Sequence, residues 1–209
     1  MASETDEATQ NLAADISKRE ASAHVPLRSV MLPQERASTF AQDFRTPVAL
    51  NPRVTQNLMS VTKLNAVDPS EGLLRFALAK DLKLLTTWSQ RFAEEAGLDE
   101  SPHEAKDIIQ KYFDAKQLFV WDDKGRATAM AAIGGFTPHA ARISMVYTDP
   151  TLRGKGYAST LVHRVSHKII QDGKTSVLFA DAANVQTNHI YGKLGYRTIS
   201  QFTELKAQS

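Results

Sequence analysis

The residues best placed to do chemistry are Arg153-Gly154-Lys155-Gly156, which run straight into Tyr157-Ala158-Ser159-Thr160-Leu161-Val162, the start of a helical pattern. The first N–H groups of a helix have no internal partner, and the helix dipole makes that end partly positive. Glycines ahead of the helix let several N–H groups turn the same way and remove side chains that would block an anion. Arg153 and Lys155 add positive charge. Strand, glycine-basic loop and helix together make a holder for phosphate. An ordinary strand-to-helix turn uses glycines too, and the residues alone leave both readings open. The spacing G-x-x-x-x-G-K-[ST] is missing, which excludes a Walker loop, and the three-glycine dinucleotide fingerprint is also missing.

Other reactive side chains carry less. His163 and His167 are spaced i, i+4, but Arg164 and Lys168 flank them and no third ligand is evident, so no metal site is expected. Glu94, Glu95 and Asp181 are candidate bases, each read first as a solvated or capping carboxylate. His139 falls in a turn. There is no cysteine, which excludes disulfides, thiolate metal sites and a thioester enzyme intermediate.

The elements that must position the loop follow from periodicity and punctuation. Leu73–Ala79 reads as a strand, and Asp81 as the cap of a helix with Leu84, Leu85, Trp88, Phe92 and Ala96 on one stripe. Ser101-Pro102-His103-Glu104 is a capping box that opens a helix carrying Ala105, Ile108, Ile109, Tyr112 and Phe113. Leu118–Trp121 and Arg126–Ile133 are strands joined at Asp122-Asp123-Lys124-Gly125, and Ala141–Thr148 is the next strand. The loop helix runs to Gln171 and buries Ala158, Leu161, Val162, Val165 and Ile169. Val177–Ala180 is a strand, Asn184 begins a short helix ending near Gly195, and Tyr196–Lys206 supplies the last strand or pair of strands. This order predicts a mixed α/β sheet.

The chain has 209 residues, 42% apolar and 23% charged, and a formal net charge of +2. That balance argues against a nucleic-acid or membrane-surface partner. No apolar run approaches a membrane span, and the start lacks the regions of a signal peptide, so a cytoplasmic location is expected. Residues 1–24 read as a polar, mostly disordered tail, in which Asn11–Arg19 could form a frayed helix. Residues 25–70 read as an extension with a helix over Pro33–Phe44 and a strand over Leu58–Val67. Asp68-Pro69-Ser70-Glu71-Gly72 marks the boundary to a domain over 71–209.

The stretch Met145-Val146-Tyr147-Thr148-Asp149-Pro150-Thr151-Leu152-Arg153-Gly154-Lys155-Gly156-Tyr157-Ala158 resembles the acetyl-CoA-binding motif of the GNAT superfamily of N-acetyltransferases, with core [Q/R]-x-x-G-x-[G/A]. Asn184 through Tyr196, with Asn188, Tyr191, Lys193 and Gly195, resembles a second element of that family at the expected distance. The resemblance runs from Gly72 to the C-terminus. It implies a central, mostly antiparallel sheet with two splayed strands and flanking helices. It implies acetyl-CoA as co-substrate, with its pantetheine arm along the backbone of Val146, Tyr147 and Thr148. The diphosphate would lie on the loop Arg153, Gly154, Lys155, Gly156, Tyr157, Ala158 and Ser159, and amides of Asn184 and Asn188 would reach the cofactor. Asn184 also has the place of a helix cap. A backbone N–H near Val146 would polarise the acetyl carbonyl, and Tyr191 would protonate the leaving thiolate. The acceptor would be a small-molecule or peptide amine. A non-catalytic acetyl-CoA sensor and a transferase of longer acyl groups are the alternatives. Residues before the core match either an added strand or the remnant of a preceding half-domain. An added strand needs an edge, supplied by a homodimer or by docking on the core.

Overall fold

The computed structural model describes residues 4–23, 27–44 and 49–207. Along the chain these form α1 (Glu4–Ala23), β1 (Ser29–Pro33), α2 (Gln34–Asp43), β2 (Leu50–Val61), β3 (Leu73–Phe76), α3 (Leu82–Glu95), α4 (Pro102–Asp114), β4 (Leu118–Asp123), β5 (Arg126–Gly134), β6 (Ala140–Thr148), α5 (Tyr157–Gln171), β7 (Thr175–Asp181), α6 (Val185–Leu194) and β8 (Arg197–Ala207). They fall into two compact units. One comprises residues 60–178 and 189–197, the other 1–59, 179–188 and 198–209.

In the 60–178 unit the strand order is β7-β6-β5-β4-β3. β3, β4, β5 and β6 pair antiparallel in succession, and β6 pairs parallel with β7. The sheet is therefore mixed and mostly antiparallel, as expected. The β4–β5 hairpin turns through Lys124 and Gly125, both with left-handed φ (54° and 83°), and Asp122 Oδ1 accepts from Gly125 N–H at 2.7 Å. α3 and α4 cover one face with Leu85, Trp88 and Ile109, which pack with Leu118, Val120, Met130, Ala132 and Tyr147. Phe119 and Trp121 alternate with Leu118 and Val120 along β4 and so point to the opposite face. α5 packs against β4, β5 and β6, burying Leu161, Val162, Val165 and Ile169. α4 opens with the capping box read from sequence: Ser101 N–H donates to Glu104 Oε2 (2.8 Å) and Glu104 N–H to Ser101 Oγ (3.2 Å). Asp81 does not cap α3. Its carboxylate instead accepts from Leu78 N–H (2.8 Å) and from Arg75, which also reaches Asp122.

In the other unit β1 lies beside β8 antiparallel, and β8 lies beside β2. Arg53 of β2 is ion-paired with Glu204 of β8. Its core gathers Ala13, Leu32, Ala37, Phe40, Phe44, Leu50 and Leu205. Two expectations change here. Residues 4–23 are a helix rather than a mostly disordered tail. α1 seats the small side chains Thr9, Ala13 and Ser17 inside, and these give little apolar signal in a sequence. The extension strand is Leu50–Val61 rather than Leu58–Val67, because Asn65 and its neighbours leave the strand to form a loop. Among the described residues no helix is long and apolar enough to cross a membrane.

Candidate functional site

The end of β6 is built irregularly. Ala129 pairs with Thr148 and Met130 with Tyr147, but Ala132 pairs with Ser144, so Met145 and Val146 together face Ala131. This is a β-bulge, and Met145 takes a left-handed φ of 54° to make it. A side chain in that region costs on the order of 1–3 kcal/mol, a strain found most often at functional sites. On the other edge of β6 the parallel ladder to β7 ends at Ile143↔Leu178. Backbone groups of Ser144–Thr148 on that edge therefore have no strand pair among the described pairings.

Asp149 ends the strand. Its carboxylate accepts from the Thr151 hydroxyl (2.6 Å) and N–H (2.9 Å), which hold it below the usual carboxylate range. After the single turn Pro150–Leu152 come Gly154 and Gly156, with φ of 80° and 77°. A Cβ at either would meet no atom within 4 Å. Their backbone conformation thus requires glycine, while the space above them is open. α5 builds its ladder from Thr160 N–H onto Gly156 O (2.9 Å). Among the described residues, the N–H groups of Gly154, Lys155, Gly156, Tyr157, Ala158 and Ser159 have no hydrogen-bond partner. The first turn of α5 is anchored from below. Tyr157 is buried and donates to Asp123 Oδ2 (2.7 Å), and Thr160 Oγ1 accepts from Ser70 N–H (3.0 Å). The loop is therefore a run of free donors at the positive end of a 15-residue helix. Lys155 is exposed beside it.

Arg153 is used differently from the expectation that it adds charge to the loop. Its Nη2 donates to both oxygens of Glu95 at 2.8 Å, its Nε donates to Thr148 O at 3.2 Å, and its guanidinium lies 5.4 Å above the Tyr147 ring. Tyr147 donates to Glu95 Oε1 (3.2 Å), and burial, then Glu95, push its phenol above the usual value. Glu95, Arg153 and Tyr147 form one cluster between the end of α3 and the loop. Glu95, one of the sequence's base candidates, is committed to a guanidinium. The sequence shows no sign of this tie, because the partners lie 58 and 52 residues apart.

Tyr191 lies in α6, 8% exposed, in the unit that holds the loop. Its ring is 5.9 Å from that of Tyr196, whose hydroxyl sits 2.7 Å from both Ser166 Oγ of α5 and Ser176 Oγ of β7. Among the described residues the Tyr191 hydroxyl has no hydrogen-bond partner, and burial pushes its pKa well above the usual value. Asn65 secures the end of this helix: its N–H donates to Leu194 O (3.1 Å) and its amide to Lys193 O (3.0 Å). His163 Nε2 lies 3.2 Å from Asn65 O, which gives that imidazole a local hydrogen-bond partner.

Asn184 and Asn188 belong to the other unit and are engaged within it. Asn184 Oδ1 accepts from Thr187 N–H (2.9 Å) as a helix cap. The Asn188 amide donates to Asp181 O (2.7 Å) and Asn184 O (2.8 Å), and its oxygen accepts from Asn57 (2.9 Å).

A bulged strand end, an open glycine loop and a helix start with free N–H groups together make a site suited to an anion beside a mixed sheet. Residues 123–205 match the family model described as FR47-like protein. No curated protein matches the chain in sequence. Among solved structures it is similar to a GNAT-family acetyltransferase from Colwellia psychrerythraea (TM-score 0.66, 16% identity, 96% of this chain and 73% of that one). It is also similar to GCN5-related N-acetyltransferases from Kribbella flavida (0.65, 16%, 94% and 77%) and Sphaerobacter thermophilus (0.62, 16%, 90% and 64%). At such identities the likeness is one of fold. The chain therefore has the fold of GNAT acetyltransferases, and its residues 123–205 are FR47-like.

Proposed function

We propose that the chain transfers an acetyl group from acetyl-CoA directly to a primary amine. The observation that carries this reading is the run of unpartnered N–H groups from Gly154 to Ser159, at the start of α5 and one short turn from the bulged end of β6. Donors arranged in this way fit a diphosphate, and the left-handed glycines leave room for it. Apart from Thr148 O, which accepts from Arg153, the edge of Ser144–Thr148 without a strand pair offers backbone groups to the amide-bearing arm of such a donor. An N–H at the bulge would bind the acyl oxygen as it gains negative charge, an effect worth roughly 3 kcal/mol in other enzymes.

The amine nitrogen attacks the acyl carbon, the carbon–sulfur bond breaks, the nitrogen loses a proton and the thiolate gains one. Direct attack fits a chain without cysteine. Tyr191 is the proposed hydrogen-bond donor to the sulfur. Its raised pKa keeps the hydroxyl protonated but makes it a weaker acid than a free phenol. Since a thiol titrates at about 8.5, full transfer of the proton is uphill, and the hydroxyl acts mainly by donating a hydrogen bond to the sulfur as the carbon–sulfur bond breaks, with solvent supplying the thiol proton.

A thiol-release assay with acetyl-CoA over a panel of small amines, amino acids and peptides tests the proposal. Release with at least one amine is expected. Binding of coenzyme A with no release on any amine would favour a non-catalytic sensor instead. Faster release with a longer acyl donor would reassign the donor.

A further inference from the structure

We propose that Glu95 is a positioning residue for the cofactor loop. It latches Arg153 away from the anion cradle, so that the loop meets its ligand with a fixed set of backbone donors. This rests on the reading of the loop given above.

Three observations carry the latch. Arg153 Nη2 donates to both Glu95 oxygens at 2.8 Å, one nitrogen shared by two acceptors, which ties one end of the guanidinium plane to α3. That plane is held a second time by the Tyr147 ring and a third time by Thr148 O. Tyr147, buried against Trp88, then donates its hydroxyl to the same carboxylate. The first residue of the loop is therefore tied to α3 and to the last turn of β6 before the glycines begin. Gly154 and Gly156 are free of packing contacts around their Cβ positions. The loop has little else to restrain it between Arg153 and the buried Tyr157. Glycines give up more backbone freedom than any other residue when they are ordered, so a fixed anchor at the loop's start reduces what ligand binding must still order.

The latch makes a prediction opposite in sign to simple electrostatics. A carboxylate near an anion site opposes the anion, so Coulomb's law alone says that its removal tightens binding. A latch says that its removal weakens binding, because the loop loses its anchor. The pair is about half exposed, at 47% and 49%, so the effect is moderate.

The test is calorimetric titration of coenzyme A into the full chain and into Glu95→Ala, Glu95→Gln, Arg153→Ala and the double Ala variant. Glu95→Gln guards against a folding defect in the alanine variant. The latch predicts that Glu95→Ala and Arg153→Ala each raise Kd about fivefold and that the double variant is no weaker than the worse single one, since both break one unit. In turnover, the acetyl-CoA KM rises with kcat within about twofold, the mark of lost ground-state binding. Tighter binding by Glu95→Ala, additive losses in the double variant, or a fall in kcat at constant KM would each overturn it. If the unaltered chain fails to bind coenzyme A, the cofactor reading falls and takes the latch with it. Binding by the unaltered chain that Glu95→Ala leaves unchanged removes the latch alone.

Discussion

Tyr191→Phe should lower turnover and leave stability nearly unchanged. The hydroxyl it removes has no partner among the described residues, while the ring is buried beside Tyr196. The hydroxyl is not among the described buried side-chain atoms that lack a partner, so solvent reaches it, and Phe keeps the buried ring. The variant should therefore keep its stability within about 0.5 kcal/mol. For a chain of this size that is a shift in Tm of about 2 °C at most. If the hydroxyl donates to the departing sulfur, the same change lowers kcat tenfold or more, equivalent to about 1.4 kcal/mol of barrier. The assays are thermal unfolding and thiol release under saturating donor. A stability loss above about 1 kcal/mol would mean that the hydroxyl has a partner in the folded state, and an unchanged kcat would remove it from the chemistry.

Gly156→Ala meets no atom but must hold a left-handed φ, so it should cost about 1–2 kcal/mol in chemical denaturation, and Gly156→Glu should also abolish coenzyme A binding. The phenols of Tyr147, Tyr157, Tyr191 and Tyr196 are all pushed above their usual value of 10.0. The unfolded chain then loses these protons first, so stability is full below that pH and falls as pH rises past it. Denaturant midpoints measured from about pH 8 to 11 should drop, less steeply in Tyr191→Phe. His163 has the opposite sign. Burial holds its pKa below 6.5, so stability is full above that pH and falls as the solution is acidified through it. His163→Gln should flatten the slope of Tm between about pH 7 and 5.

Much of the 60–178 unit was legible because its elements carry strong local signals. The apolar runs of β4 and β5, the partial alternation of β6, the stripe on α3, the capping box of α4 and the glycine start of α5 are each written in consecutive residues. The other unit was harder. β2 includes Pro52 and polar residues through Asn57, and α1 packs through threonine, alanine and serine, so neither shows a clean apolar face. In the site, the loop was legible because only glycine adopts its backbone freely. The bulge was not, since a methionine gives no warning of a left-handed φ. Nor was the Glu95–Arg153 tie, which joins residues distant in the chain. The cap role of Asn184 was legible, but the commitment of the Asn188 amide to two carbonyls was not.

A crystal structure of the chain grown with coenzyme A tests the central claim most directly. The account predicts diphosphate oxygens about 2.7–3.2 Å from the N–H nitrogens of the Gly154–Ser159 run. A bound coenzyme whose diphosphate lies elsewhere, with those N–H groups still turned to solvent, would contradict it.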